Sequence, residues 1–199
     1  MQLQVDLSES RQLFAGQLCY FPNFLAGSAD TLYQQLEQSL DWQQGHIKMF
    51  GKVIAIPRLQ AWYGDDQAFY RYSGVTMHPL PWTPLLWQLK ELCEQTCRAP
   101  FNSTLANYYR HQQDSMGWHS DNEKELGSAP VIASLSFGQA RRFCLKHKSS
   151  GERFEILLQS GSLLIMQGQL QQQWQHALPK SSKAMQGRIN LTYRYVFPR

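Results

Sequence analysis

The chain has 199 residues, 43% of them hydrophobic, with a formal net charge of +4 and four cysteines. That length and apolar content suffice for one buried core, and the mild positive charge permits a polyanionic partner without requiring one. Cys19, Cys93, Cys97 and Cys144 have no repeated spacing, which argues against a disulfide framework or a zinc module. No stretch approaches the roughly 18 apolar residues that span a bilayer, and "MQLQVDLSESR" lacks the basic-then-apolar pattern of a leader. The expectation is an intracellular protein with reduced thiols. Without an evident lysine-arginine cluster, a bacterial cytoplasm is favoured over a nucleus.

In chain order, "SADTLYQQLEQSLDW" spaces Leu32, Leu36 and Leu40 four apart behind small and polar residues that can start a helix. This predicts an amphipathic helix from Ser28 to about Trp42. The aromatic and β-branched stretch "HIKMFGKVIAIPRLQAWYGDDQAFYRYSG" is broken by Gly51, Pro57 and "GDD", and predicts hairpins and loops. In "WTPLLWQLKELCEQTC", Pro84 suits a first helical turn, with Leu85, Leu89 and Leu92 along one side. Beyond Pro100 come short apolar runs separated by polar turns: "FNSTLANYY", "PVIASLSFG", "RRFCLKH", "RFEILLQ", "SLLIMQG" and "RINLTYRYVF". Evenly spaced short strands predict a sandwich or barrel, buttressed by the early helices within a single domain.

The candidate chemistry starts at "GWHSDNEKE". In an extended chain His119 and Asp121 project from the same face, because side-chain direction repeats every two residues. An H-x-D triplet is common by chance, so its weight depends on a third ligand. His176 in "QQQWQHALP", between two strand-like runs, supplies one. In "RINLTYR", alternation puts Arg188, Asn190, Thr192 and Arg194 on one face and Ile189, Leu191 and Tyr193 on the other. Such a polar face either meets water or lines a cavity holding an anion, for which the planar, always-charged guanidinium is suited. Asn107 and Tyr109 in "LANYYRH" share a face and can hydrogen-bond an organic acid. Two histidines and a carboxylate on one side of a non-haem Fe(II) leave the opposite positions open. The combination points to Fe(II) and a dicarboxylate such as 2-oxoglutarate.

With "NYY" (107–109), "WHSD" (118–121), "PVIASLSFG" (130–138), "GSLLIMQG" (161–168), "WQHALP" (174–179) and "RINLTYR" (188–194), the chain resembles the AlkB-type 2-oxoglutarate- and Fe(II)-dependent dealkylases. The likeness extends upstream through "YFPNFL", "MFGKV", "PRLQAWYGD" and "YRYSG", and points to the subgroup acting on double-stranded DNA. The resemblance implies an α+β, mainly β fold: a double-stranded β-helix, or jelly-roll, over about residues 100–199. A nucleotide-recognition lid would occupy about residues 45–80, with helices N-terminal to the core.

It implies that His119, Asp121 and His176 bind Fe(II), and that Asn107, Tyr109, Arg188, Thr192 and Arg194 hold 2-oxoglutarate. With O2, the enzyme would demethylate bases of the 1-methyladenine and 3-methylcytosine type, releasing formaldehyde, succinate and CO2. A methyl on the pairing edge is out of reach inside a duplex, so the nucleotide must be flipped out. Phe50, beside Gly51 and between Lys48 and Lys52, would then be an apolar wedge with phosphate-binding neighbours, and Arg58 would contact the opposite strand. Tyr70, Tyr72, Ser73, Asn122 and Glu123 would form the base pocket.

Asn122 departs from the family's frequent Asp-Asp-Glu, and brings no negative charge to a cationic lesion. Tyr72 stands where the duplex subgroup has phenylalanine. Two further readings stand beside duplex DNA repair. One is the same chemistry on RNA or single-stranded DNA, and the other is a noncatalytic nucleic-acid-binding barrel, against which the complete ligand set argues. The protein is expected to be a monomer with no membrane partner.

Overall fold

The computed structural model describes residues 3–49, 51–72 and 75–197. Strands β1 (Arg11–Leu13) and β2 (Leu18–Phe21) are followed by helix α1 (Ala29–Ser39), β3 (Gln43–Met49), β4 (Lys52–Gly64), β5 (Tyr70–Tyr72), β6 (Val75–Met77) and helix α2 (Pro84–Cys97). Then come β7 (Ser103–Tyr109), β8 (Met116–His119), β9 (Ile132–Gly138), β10 (Arg141–His147), β11 (Arg153–Leu158) and β12 (Ser162–Met166). The single turn α3 (Leu170–Gln173) leads into β13 (Trp174–Leu178), and β14 (Arg188–Arg194) closes the series.

Eight strands form a large sheet in the order β1-β2-β12-β9-β14-β7-β4-β3, and four form a small one, β11-β10-β13-β8. Between them packs an apolar layer in which Leu18, Tyr20, Ile132, Leu164 and Met166 of the large sheet meet Phe143, Leu145, Ile156 and Trp174 of the small one. This two-layer antiparallel arrangement is the jelly-roll anticipated from the sequence. The other face of the large sheet carries the helices: Leu32, Leu36 and Leu40, with Leu86, Leu89 and Cys93, lie against Leu135, Phe137, Leu163, Ile189, Leu191 and Tyr193. Each of those leucines contributes about 1.5–3 kcal/mol by leaving water, which is why these two helices stay on the sheet.

Period-two alternation gives β14 its two roles. Ile189, Leu191 and Tyr193 enter the helix-side core, where the Tyr193 hydroxyl donates to the Leu86 carbonyl at 3.0 Å. The intervening polar residues turn into the space between the sheets, and all seven residues of the strand are buried. The polar face therefore lines a cavity and not the outer surface.

Three expectations shift in detail. Helix α1 ends at Ser39 because Leu40 is already extended, with ψ 145°. In α2, capped by the Thr83 hydroxyl, the buried side is Leu86, Leu89, Lys90 and Cys93, while Leu85 and Leu92 are only half-buried. A helix face wide enough to hold several leucines does not reveal by spacing alone which of its edges meets the sheet. The strands also do not divide at residue 100: β2 pairs with β12, and β4 runs from its hairpin with β3 into the large sheet, pairing with β7 from Leu59 to Gly64.

Candidate active site

The histidine-aspartate pair sits where β8 ends. His119 is its last residue, Asp121 lies two residues on, and β13 carries His176 directly opposite His119 in the strand register. The segment holding His176 is thus itself a strand of the small sheet. His119 Nε2 is 4.0 Å from Asp121 Oδ1, His176 Nε2 is 3.8 Å from Asp121 Oδ2, and one donor atom from each residue lies within 4.8 Å of the others. Among the described residues this is the only group of three or more His, Cys, Asp or Glu side chains so arranged.

The donor chemistry fits a metal cation. His119 Nδ1 lies 2.8 Å from the Gly117 carbonyl, so Nδ1–H donates there and Nε2 keeps its lone pair for a metal. Asp121 Oδ2 is buried with no hydrogen-bond partner, a state that costs about 1–3 kcal/mol until something positive meets it. Burial pushes the Asp121 carboxyl up, but Arg194 and the two imidazoles outweigh it and hold it ionised, below the usual carboxylate range. Burial, reinforced by His119, pushes His176 down to about 3, leaving a neutral ligand at physiological pH. Gln171, 1% exposed, accepts from the Asp121 backbone N–H at 2.9 Å, and Arg194 Nη2 donates to Asp121 Oδ1 at 2.8 Å.

Beyond the triad the cavity is lined by Asn107, Tyr109, Arg188, Asn190, Thr192 and Arg194. Register explains their convergence: on adjacent strands Arg188 faces Tyr109, and Asn190 faces Asn107. Arg188 is 2% exposed, donates to Ser136 Oγ at 2.9 Å, and its buried Nε has no partner. Burial pulls its guanidinium down to about 10, with Tyr109 opposing. Among the described residues no carboxylate pairs with it, so this is a desolvated cation suited to an anion. Asn107 Oδ1 accepts from Arg58 Nε at 2.9 Å and Gln60 Nε2 at 3.0 Å, which leaves its amino group as the donor for a ligand. Thr192 donates to Asn190, which in turn donates to Ser134 and the Leu135 carbonyl.

Arg58 requires a correction. Expected against DNA, it is instead 3% exposed and bonded to Asn107 and the Ser115 carbonyl. Alternation along β4 turns Ile56, Arg58 and Gln60 to one side, and where β4 enters the sheet that side is the interior. Gly51, with φ +76°, turns the β3–β4 hairpin, and Lys52 is exposed at the start of β4. Asn122 is exposed immediately after Asp121, and Glu123, half-buried, precedes a single 3-10 turn. Tyr70 and Tyr72 belong to β5; their side chains, and the residues Phe50 and Ser73, lie outside the described residues. Sequence reading missed Gln171 and Asn190 as site components. Asn190 was signalled by its place on the polar face of β14, whereas nothing local marks Gln171.

A 2-His-1-carboxylate site opening on an arginine-lined cavity between jelly-roll sheets defines a non-haem iron oxygenase. Residues 17–194 match the family model described as "2OG-Fe(II) oxygenase superfamily". The chain is 43% identical over 193 residues to mouse (Mus musculus) alpha-ketoglutarate-dependent dioxygenase alkB homolog 3, covering 92% of this chain and 67% of that one. It is 37% identical over 186 residues to the cattle (Bos taurus) DNA oxidative demethylase ALKBH2, covering 88% and 67% respectively. The solved structure of OsALKBH1 superposes with a TM-score of 0.63 at 15% identity, over 89% of this chain and 97% of that one, a likeness of fold. The chain belongs to the 2OG-Fe(II) oxygenase superfamily and, within it, to the AlkB-type dealkylases. It is a dioxygenase that uses Fe(II), 2-oxoglutarate and O2. It spans about two thirds of the length of those curated relatives.

Proposed function

We propose that this chain is a DNA-repair dioxygenase that oxidatively removes N-methyl groups of the 1-methyladenine and 3-methylcytosine type, preferably from duplex DNA. The observation that carries the reading is the intact triad of His119, Asp121 and His176 in one cavity with a buried Arg188 that has no carboxylate partner among the described residues, in a chain 37% identical to a protein named DNA oxidative demethylase. One chain contributes all three metal donors and both arginines, which supports a working monomer.

Iron and 2-oxoglutarate, when bound, supply the oxidising chemistry: O2 is consumed, 2-oxoglutarate becomes succinate and CO2, and the hydroxylated N-methyl leaves as formaldehyde. The protein's part is to bind, orient and exclude water. His119, Asp121 and His176 would hold the metal. Arg194 keeps Asp121 ionised and fixed in orientation, while Gln171 fixes its backbone. Arg188 and Tyr109, with Asn107 and Thr192 in the same cavity wall, would hold the carboxylate of the cosubstrate. Asn122 and Glu123, next to Asp121, read the edge of a flipped base together with Tyr70, Tyr72 and Ser73. Phe50, next to Gly51 and Lys52 in the sequence, fills the gap that the flipped base leaves.

The test compares formaldehyde release from 1-methyladenine in duplex DNA, single-stranded DNA and RNA, for wild type and Phe50→Ala. Faster repair of duplex, with a loss on Phe50→Ala confined mainly to duplex, supports the reading. Equal loss on all three sinks the wedge, and preference for RNA moves the enzyme to RNA demethylation.

A further inference from the structure

Arg141 opens β10 and is 1% exposed. Its Nη2 donates to the Pro179 carbonyl at 2.8 Å and the Asp114 carbonyl at 3.0 Å, and its Nη1 to the His111 carbonyl at 3.4 Å. These carbonyls belong to two different loops, one joining β7 to β8 and the other joining β13 to β14. The guanidinium carbon of Arg141 also lies 5.9 Å from the centre of the Tyr109 ring, while that of Arg188 lies 5.3 Å from the same ring. The nearby Asp114 carboxylate is already taken, accepting from Arg110 N, Nε and Nη2.

Two buried guanidiniums thus share one phenol, and among the described residues neither is bonded to a carboxylate. Like charges buried against one ring repel each other, and an anion held near them offsets that repulsion. Arg141 does not itself line the cavity, so any influence on a ligand passes through Tyr109, Arg188 and the loops it ties.

We propose that Arg141 is a positioning residue for the cosubstrate: it ties together the loops that follow the pocket-lining residues Tyr109 and Leu178 and adds a second positive charge near Arg188, selecting 2-oxo acids that carry a distant carboxylate. The selection acts on the end of the cosubstrate remote from the metal. It rests on the dicarboxylate occupant of the pocket and is independent of which nucleic acid is repaired.

The test loads the protein with Mn(II) and follows binding of two unreactive probes by water-proton relaxation. N-oxalylglycine has the shape and far carboxylate of 2-oxoglutarate, whereas 2-oxobutyrate has the chelating end alone. Arg141→Gln should weaken N-oxalylglycine by about tenfold or more and leave 2-oxobutyrate within about twofold. Arg141→Lys keeps the charge but is too compact to hold three carbonyls, so its loss should be intermediate and equally confined to N-oxalylglycine. It carries the test if Arg141→Gln does not fold. Equal losses for both probes, or none for N-oxalylglycine, overturn the proposal. A wild type that fails to bind N-oxalylglycine overturns the dicarboxylate reading beneath it.

Discussion

Replacing Arg188 by methionine should weaken the cosubstrate and strengthen the empty protein. The side chain is 2% exposed, donates to Ser136 Oγ, interacts with the Tyr109 hydroxyl, and leaves its Nε unbonded. With a carboxylate about 4 Å away at an effective dielectric constant of about 20, the attraction is about 4 kcal/mol. Removing one partner of a buried hydrogen-bonded charge pair costs about 2–5 kcal/mol, so a central value of about 3 kcal/mol is expected. That is a loss of about two orders of magnitude in 2-oxoglutarate affinity. In the ligand-free protein the same change removes a desolvated cation and should raise unfolding stability by about 1–2 kcal/mol. Equilibrium dialysis of labelled 2-oxoglutarate against the Mn(II) protein measures the first effect, and urea unfolding of the metal-free protein the second. Affinity within about threefold of wild type would refute the assignment of Arg188 to an anion. A destabilised variant would refute the view of it as an uncompensated charge.

Gln171→Ala removes the acceptor on the Asp121 backbone, and should lower Mn(II) affinity about 10–100-fold with the fold intact, as read by electron paramagnetic resonance titration. Leu36→Ala opens a cavity where α1 meets the large sheet, and should cost about 2–5 kcal/mol in urea unfolding. Burial raises the Asp114 carboxyl, but bonds and charge from Arg110 outweigh this and hold it below 3.8 in the folded protein. A carboxyl lowered by folding contributes stability that is complete above its unfolded value and is lost as pH falls through the folded one. Asp114→Asn should therefore lower stability at neutral pH and flatten the decline below about pH 4 in thermal melts across pH.

What the sequence disclosed follows periodicity. Strand β14 could be read residue by residue because its two faces differ in kind, aliphatic and aromatic against charged and amide. The leucine spacing of α1 similarly marked a buried stripe at Leu32, Leu36 and Leu40. Metal donors emerged because H-x-D, a later histidine and an arginine strand occur in an order that the fold makes meaningful. Groups held by single long-range contacts stayed hidden. Gln171 meets Asp121, and Arg141 meets carbonyls of His111, Asp114 and Pro179, through bonds that leave no pattern in neighbouring residues. Arg58 misled for a related reason: a cation in a lid-like stretch reads as a surface contact until the pairing of β4 with β7 turns it inward. The short β1 and β2 gave too few residues for alternation to register, yet β2 completes the sheet through β12.

The central claim, that His119, Asp121 and His176 form the iron site of an oxidative nucleic-acid demethylase, is tested most directly by reaction stoichiometry. The protein is loaded anaerobically with Fe(II) and 2-oxoglutarate, mixed with O2 and a 1-methyladenine oligonucleotide, and assayed for both products. Formaldehyde and succinate should appear one to one in wild type, and both should vanish in Asp121→Ala. Formaldehyde without succinate, or undiminished turnover in Asp121→Ala, would contradict the account.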